Sequence, residues 1–152
     1  MPYLEQAGEF RGEIVTYAAE EKESGAVAIK IEVLVHEIFE SGKYHDWSDH
    51  NLIATGRVWV VGRGGKVNKR NAESLMQIAG WDGTFKSIAD GSWEPDKVGI
   101  TVKAEEYPAG SGTMYYKIDW INPFDRNPAG SSGIDEKKSS ELDTRFGSQL
   151  RG

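Results

Sequence analysis

The sequence predicts a mainly β domain of five strands, with one helix between the third and the fourth. Three observations carry this. Apolar residues alternate with polar ones in five separate segments, the pattern of a half-buried strand. Eighteen glycines in 152 residues supply turns between those segments. A single stretch ahead of residue 122 places its apolar residues at helical spacing instead.

The first strand runs from Glu9 to Glu21. Phe10, Gly12, Ile14 and Thr16 share one face, and Arg11, Glu13, Val15 and Tyr17 share the other. The polar run Glu20 to Gly25 reads as a hairpin turn. The second strand, Ala26 to Phe39, has the cleanest alternation: Val27, Ile29, Ile31, Val33 and Val35 face a core, which turns Lys30 and Glu32 outward. Glu40 to Asn51 is expected as a polar loop. Its two aromatics, Tyr44 and Trp47, are either binding residues or, for Trp47, a cap on one end of the core. The third strand spans about Leu52 to Gly62, with a bulge or bend expected at Gly56.

Ala72, Leu75, Met76 and Ala79 then stand at i, i+3, i+4 and i+7, predicting a helix capped by Asn68 or Asn71 and stopped by Gly80. Trp81 to Asp96 is a turn-rich connection that Trp81, Phe85, Ile88 and Trp93 fold back onto the body. The fourth strand is Lys97 to Glu106, with Val98, Ile100, Val102 and Ala104 inward. Tyr107 to Gly112 is a hairpin turn. The fifth strand, Thr113 to Ile121, sets Met114, Tyr116, Ile118 and Trp120 against Tyr115, Lys117, Asp119 and Ile121; Tyr116 and Trp120 are expected in the core. The domain is therefore read as residues 1–122. Residues 123–152 form a Pro/Gly/Ser linker and a flexible tail, in which Leu142, Phe146 and Leu150 would share a stripe of a short helix. The order β-β-β-α-β-β is that of the OB-fold, a five-stranded Greek-key barrel that binds through its second and third strands and the loops beside them.

Charge is unevenly spread. The chain carries a net −6, yet Arg57 to Arg70 (RVWVVGRGGKVNKR) holds five basic residues and no acid. Residues 1–56, by contrast, hold four basic and eleven acidic side chains. A generic duplex-DNA binder is basic overall; a local basic strip on an acidic body suits one flexible strand and discourages indiscriminate sticking. Zero cysteine excludes disulfides and thiolate metal sites. The N-terminus reads as no signal peptide, and no apolar run approaches the ~20 residues of a membrane span. The expectation is a soluble cytoplasmic protein.

Single-strand binding needs cations along the phosphates and flat side chains for the bases. Arg57, Arg63, Lys66, Lys69 and Arg70 are the candidate cations, with Lys30 beside them on the second strand and Lys117 on the fifth. Arg57 and Trp59 are two apart and share a side, so an outward Arg57 brings Trp59 out with it and leaves Val58 and Val60 inward. Tyr44, Trp47 and Tyr115 are further stacking candidates. Lys69 and Arg70 sit where positive charge opposes the helix dipole, a hint of another use.

Other chemistries fit less well. His45 to His50 (HDWSDH) offers two imidazoles and two carboxylates, but its spacing matches no helical zinc pair. Gly62-Arg63-Gly64-Gly65-Lys66 is followed by Val67 and so lacks the phosphate-loop pattern. No nucleophile–histidine pair stands out. The sequence calls for no enzyme activity, no metal and no cofactor.

Three segments carry a family resemblance: GEFRGEIVTY, NAESLMQIAGWDGTF and MYYKIDWINPFDR. They resemble a phage and prophage family of formerly unknown function whose members resemble phage single-stranded-DNA-binding proteins, often encoded near recombination and replication genes. The resemblance covers about residues 8–127. It implies an OB-like barrel that coats or guards single-stranded DNA during phage replication or recombination, and it brings no catalytic motif. Many bacterial single-strand binders end in an acidic tip that recruits partners; here the last residues are Ser148-Gln149-Leu150-Arg151-Gly152. The expected partner is single-stranded DNA. The C-terminal segment is the candidate contact for replication or recombination proteins, and a strand-one edge would permit a homo-oligomer. The alternative is a β-barrel assembly module that binds no nucleic acid and works through its acidic surface and the C-terminal stripe.

Overall fold

The computed structural model describes residues 2–126 and Pro128. Among these residues six strands and two α-helices follow one another as β1 (Gly8–Glu21), β2 (Val27–Glu40), β3 (Lys43–Asp46), β4 (Ile53–Val61), α1 (Lys69–Ala79), α2 (Phe85–Ala89), β5 (Val98–Glu106) and β6 (Met114–Pro123). The five long strands close a ring in the order β1-β2-β4-β6-β5 and back to β1. Neighbours are antiparallel except β4 and β6, which meet in parallel at the single residue pair Gly56 and Ile118 among the described residues. β3 lies outside the ring and pairs with the far end of β2.

The core is the inside of this ring. Phe10, Ile29, Ile31, Val33, Val98 and Ile100 are completely buried, as the alternation of β1, β2 and β5 predicts. Leu75 and Ala79 of α1 join them from outside the sheet, along with Trp81, Ile88 and Trp93. Asn68 caps α1, its Oδ1 accepting from the Asn71 amide at 3.1 Å, and Gly80 ends the helix in the left-handed conformation (φ 73°). Trp93 donates its indole N–H to the Ala79 carbonyl at 3.1 Å, which locks the turn-rich segment onto α1.

Several expectations are corrected, and bulges explain most of them. An extra residue, Val15, interrupts the β1–β2 register, since Ile14 faces Val33 while Thr16 faces Glu32. Tyr17, expected to share a face with Arg11, Glu13 and Val15, therefore changes sides, turns inward and donates to the Trp93 carbonyl at 2.7 Å. On β6 the extra residue is Asp119: Ile118 pairs with Val102, and Trp120 with Thr101. Trp120, expected in the core, is 55% exposed, and Ile121 takes the inward position. Gly56 carries no bulge; the irregularity of β4 lies at Val60.

Other corrections are matters of reach. Glu40 to Asn51 is not wholly a loop: Ser41 (φ 54°) and Gly42 (φ 82°) make a two-residue turn into β3. Trp81 to Asp96 contains α2, on which Phe85 is exposed, and Met76 of α1 is exposed as well, while Ile78 packs against the core. Ala104 and Met114 are exposed, although alternation placed them inward, because the β5–β6 hairpin runs past the body it packs on. β6 continues through Pro123. Beyond it Phe124 lies under the Arg11 guanidinium (4.7 Å), and Arg126 reaches Glu9 at 3.3 Å. The Leu142, Phe146 and Leu150 stripe falls outside the described residues.

Candidate nucleic-acid interface

The outer face of β2 and β4 brings the first group of candidates together. Lys30 pairs in register with Arg57, and Ala28 with Trp59. Arg57 and Trp59 both face out, and Trp59 is 39% exposed; Val60 is buried beneath and Val58 packs against the core. The strand alternation produces this arrangement as read from the sequence.

Arg57 is not a free cation. Its Nε donates to Glu20 Oε1 at 2.6 Å across β2, with both side chains partly open to solvent. That hydrogen bond holds the Glu20 carboxyl below the usual carboxylate range. Glu32 is also held low, chiefly by the Thr16 hydroxyl donating at 2.6 Å, and then by Tyr3. Lys30 thus stands between two ionised carboxylates. This face is a charge-balanced lattice of cations and acids with one indole in it, not the bare basic strip that the residue count suggests.

The second group follows at once in the chain. Arg63 and Lys66 sit on the turn after β4, and Lys69 and Arg70 on the first turn of α1; all four are exposed. Among the described residues none of the four makes an ion pair. The turn is tied down: the Gly64 amide donates to the Ser24 carbonyl at 3.0 Å, and the Gly62 amide to the Lys66 carbonyl at 2.7 Å. A cleft between this turn and the β1–β2 hairpin is lined by Lys22, Ser24, Gly62, Arg63 and one side of Trp59. Trp59 therefore joins the face of the sheet to the basic turn.

Tyr44 and Trp47 lie elsewhere. Tyr44 pairs with Phe39, nine residues along β2 from Lys30, roughly 30 Å of extended strand. Its ring stacks on the Arg11 guanidinium at 3.7 Å, and burial pushes its phenol up. Trp47 packs at the end of the core, with its ring 5.7 Å from Phe10 and 4.3 Å from His50. Both aromatics have intramolecular partners. Tyr115 is exposed beside Tyr107 and Glu105 on the β5–β6 hairpin, and Lys117 is ion-paired with Glu105.

The His45–His50 segment spends its polar groups locally. His45 Nε2 lies 3.0 Å from the Glu40 carbonyl, and Asp46 accepts from Ser48. Among the described residues no group of three or more His, Asp or Glu is arranged to hold a metal ion, and no helix is long and apolar enough to cross a membrane.

No protein-family model matches the chain, and no curated protein matches it.

Sequence reasoning missed three side chains here. Trp120 is exposed on β6, and Lys103 lies 5.1 Å from its ring centroid while pairing with Asp119 at 3.0 Å. The bulge that exposes Trp120 leaves no mark in a period-two reading. Lys22 escaped because it belongs to the β1–β2 turn, whose docking against Gly64 is a tertiary contact.

Proposed function

We propose that this protein binds single-stranded DNA with little sequence preference, on an OB-type frame, in phage-type replication or recombination. The observation that carries the reading is Trp59: an exposed indole beside Arg57 and Lys30 that also borders the turn bearing Arg63 and Lys66. Exposed aromatics next to cations are what a sequence-tolerant single-strand site requires, since every base has a face to stack and every phosphate a charge to neutralise. Supporting the frame are the closed order of five strands, the parallel meeting of β4 and β6, and α1 between β4 and β5. In such a frame the second and third strands correspond to β2 and β4, so Lys30, Arg57 and Trp59 would lie on its customary binding face. The fold alone would not license the activity.

In this mechanism Arg63, Lys66, Lys69 and Arg70, which make no ion pair among the described residues, attract the strand first, and Trp59 stacks a base. Arg57 then exchanges the Glu20 carboxylate for a phosphate. Acids already in place on the face repel DNA that brings phosphates without bases to stack, which favours a single strand over a duplex.

The test is tryptophan fluorescence quenching by an oligo-dT of about 30 nucleotides, at low and high salt, beside a duplex of the same length. Salt-sensitive binding to the single strand that is lost in Trp59→Ala and in the double variant Arg63→Glu/Lys66→Glu supports the activity and its site. Binding that survives both moves the site elsewhere. No binding at low salt removes the reading and favours the assembly module.

A further inference from the structure

β4 and β6 pair at Gly56 and Ile118 and nowhere else among the described residues, and beside that point a cleft opens between the two strands and α1. The opening is a cleft of about 160 Å³. Ile31 and Ile118 line its apolar part, Trp59 and Trp120 belong to its two strands, and α1 contributes Asn71 and Ser74. An apolar cavity of about 150 Å³ is enough to receive benzene, so this cleft matches one planar ring and not a stacked pair.

Its polar groups are preset. Asn71 Nδ2 donates to the Trp59 carbonyl at 2.8 Å. Because that acceptor demands the NH₂ end, the bond fixes which way the amide points. Among the described residues neither Asn71 Oδ1 nor the Ser74 hydroxyl has a hydrogen-bond partner. Lys103 of β5 lies outside the lining, 5.1 Å from the Trp120 ring centroid, with its charge shared by Asp119.

We infer that the seam between β4 and β6 is a subsite for one unstacked nucleobase of the bound strand, stacked on Trp120 with its polar edge toward Asn71 and Ser74. This rests on the single-strand reading above and deepens it. Two exposed indoles, one on each strand of a ring-sized opening with idle hydrogen-bonding groups, call for a flat polar heterocycle; an aliphatic side chain of a protein partner would leave those groups unpaired. Lys103 would hold the phosphate of the same nucleotide.

The experiment uses the full chain and two oligomers of equal length, oligo-dT and an abasic deoxyribose-phosphate strand. Trp120→Ala and the cleft-filling Ser74→Leu are expected to weaken oligo-dT about tenfold, within the range for one stacked base, and to leave the abasic strand unaffected. Trp120→Phe retains most of the affinity. Ultraviolet irradiation of the wild type with oligo-dT carrying one 5-iodo-deoxyuridine should give a crosslink that peptide mapping assigns to Trp120. Circular dichroism confirms that each variant is folded. If Trp120→Ala and Ser74→Leu bind oligo-dT as well as wild type while Trp59→Ala does not, the subsite is overturned and the surface reading stands. Equal losses on both oligomers also overturn it. Failure of the wild type to bind either oligomer removes both readings.

Discussion

Gly56 of β4 lies so close to Ile118 of β6 that no side chain fits between them: a β-carbon on Gly56 would stand 2.6 Å from Ile118 Cβ and 2.9 Å from its carbonyl oxygen. The ring closes at this contact. Gly56→Ala should therefore cost about 1–3 kcal/mol, the usual penalty for forcing extra volume into a packed site. Thermal or denaturant unfolding would show it, and a variant as stable as wild type would mean that the two strands can separate freely.

Tyr17 gives a second stability prediction. Its hydroxyl donates to the Trp93 carbonyl, and its ring lies 4.7 Å from that of Trp93. Tyr17→Phe keeps the ring contact and removes one hydrogen bond, so the expected loss is about 0.5–1.5 kcal/mol. Urea unfolding monitored by tryptophan fluorescence measures it.

On the proposed reading, Glu20 would compete with a phosphate of the bound strand for Arg57. Its folded carboxyl is held below the usual range by that contact. The pair therefore stabilises the fold above the pKa of an unfolded carboxylate, and the contribution fades as pH falls through the lower folded value. Both groups are substantially exposed, so the effect on stability is small. The effect on binding is larger: Glu20→Gln should raise oligo-dT affinity at neutral pH. The gap between variant and wild type should close in acid, where the native carboxyl is protonated too. A pH series of affinities on both proteins decides it.

Charge on the basic turn predicts a salt slope. If Arg63 and Lys66 each neutralise a phosphate, Arg63→Gln/Lys66→Gln should make the plot of log affinity against log salt shallower by about 1.4, at roughly 0.7 per contact with a single strand. An unchanged slope would place both cations away from the strand.

Much of this fold is legible in the sequence, and the failures have a common physical origin. Alternation alone places Ile29, Ile31 and Val33 in the core and Arg57 and Trp59 outside it, because β2 between Ile29 and Val35 and the middle of β4 keep period two. Where a strand carries an extra residue, the phase slips and every later side chain changes sides; Tyr17 and Trp120 both follow such a slip. A ring this small must bend its strands sharply, and bulges provide the bend, but any residue can occupy one. β3 was within reach: Ser41-Gly42 between aromatic-bearing segments is a hairpin signal that the polarity of its neighbours obscured. The candidate site was legible as residue types but not as charges, since the Glu20 partner of Arg57 lies 37 positions away.

The joints of the ring are very unequal. β1 and β2 pair at eleven positions, while β4 and β6 meet at one. Under thermal agitation such a closed sheet behaves like a split ring, stiff around most of its circumference and compliant at the cut. Local opening of the ring is easiest where the fewest ladder bonds must break, which among its five joints is the β4–β6 seam. A strand lying across that cut would act as a clasp, stiffening the sheet. Amide hydrogens of β6 near Ile118 would then exchange more slowly once it is bound, while those of the β1–β2 ladder would hardly change.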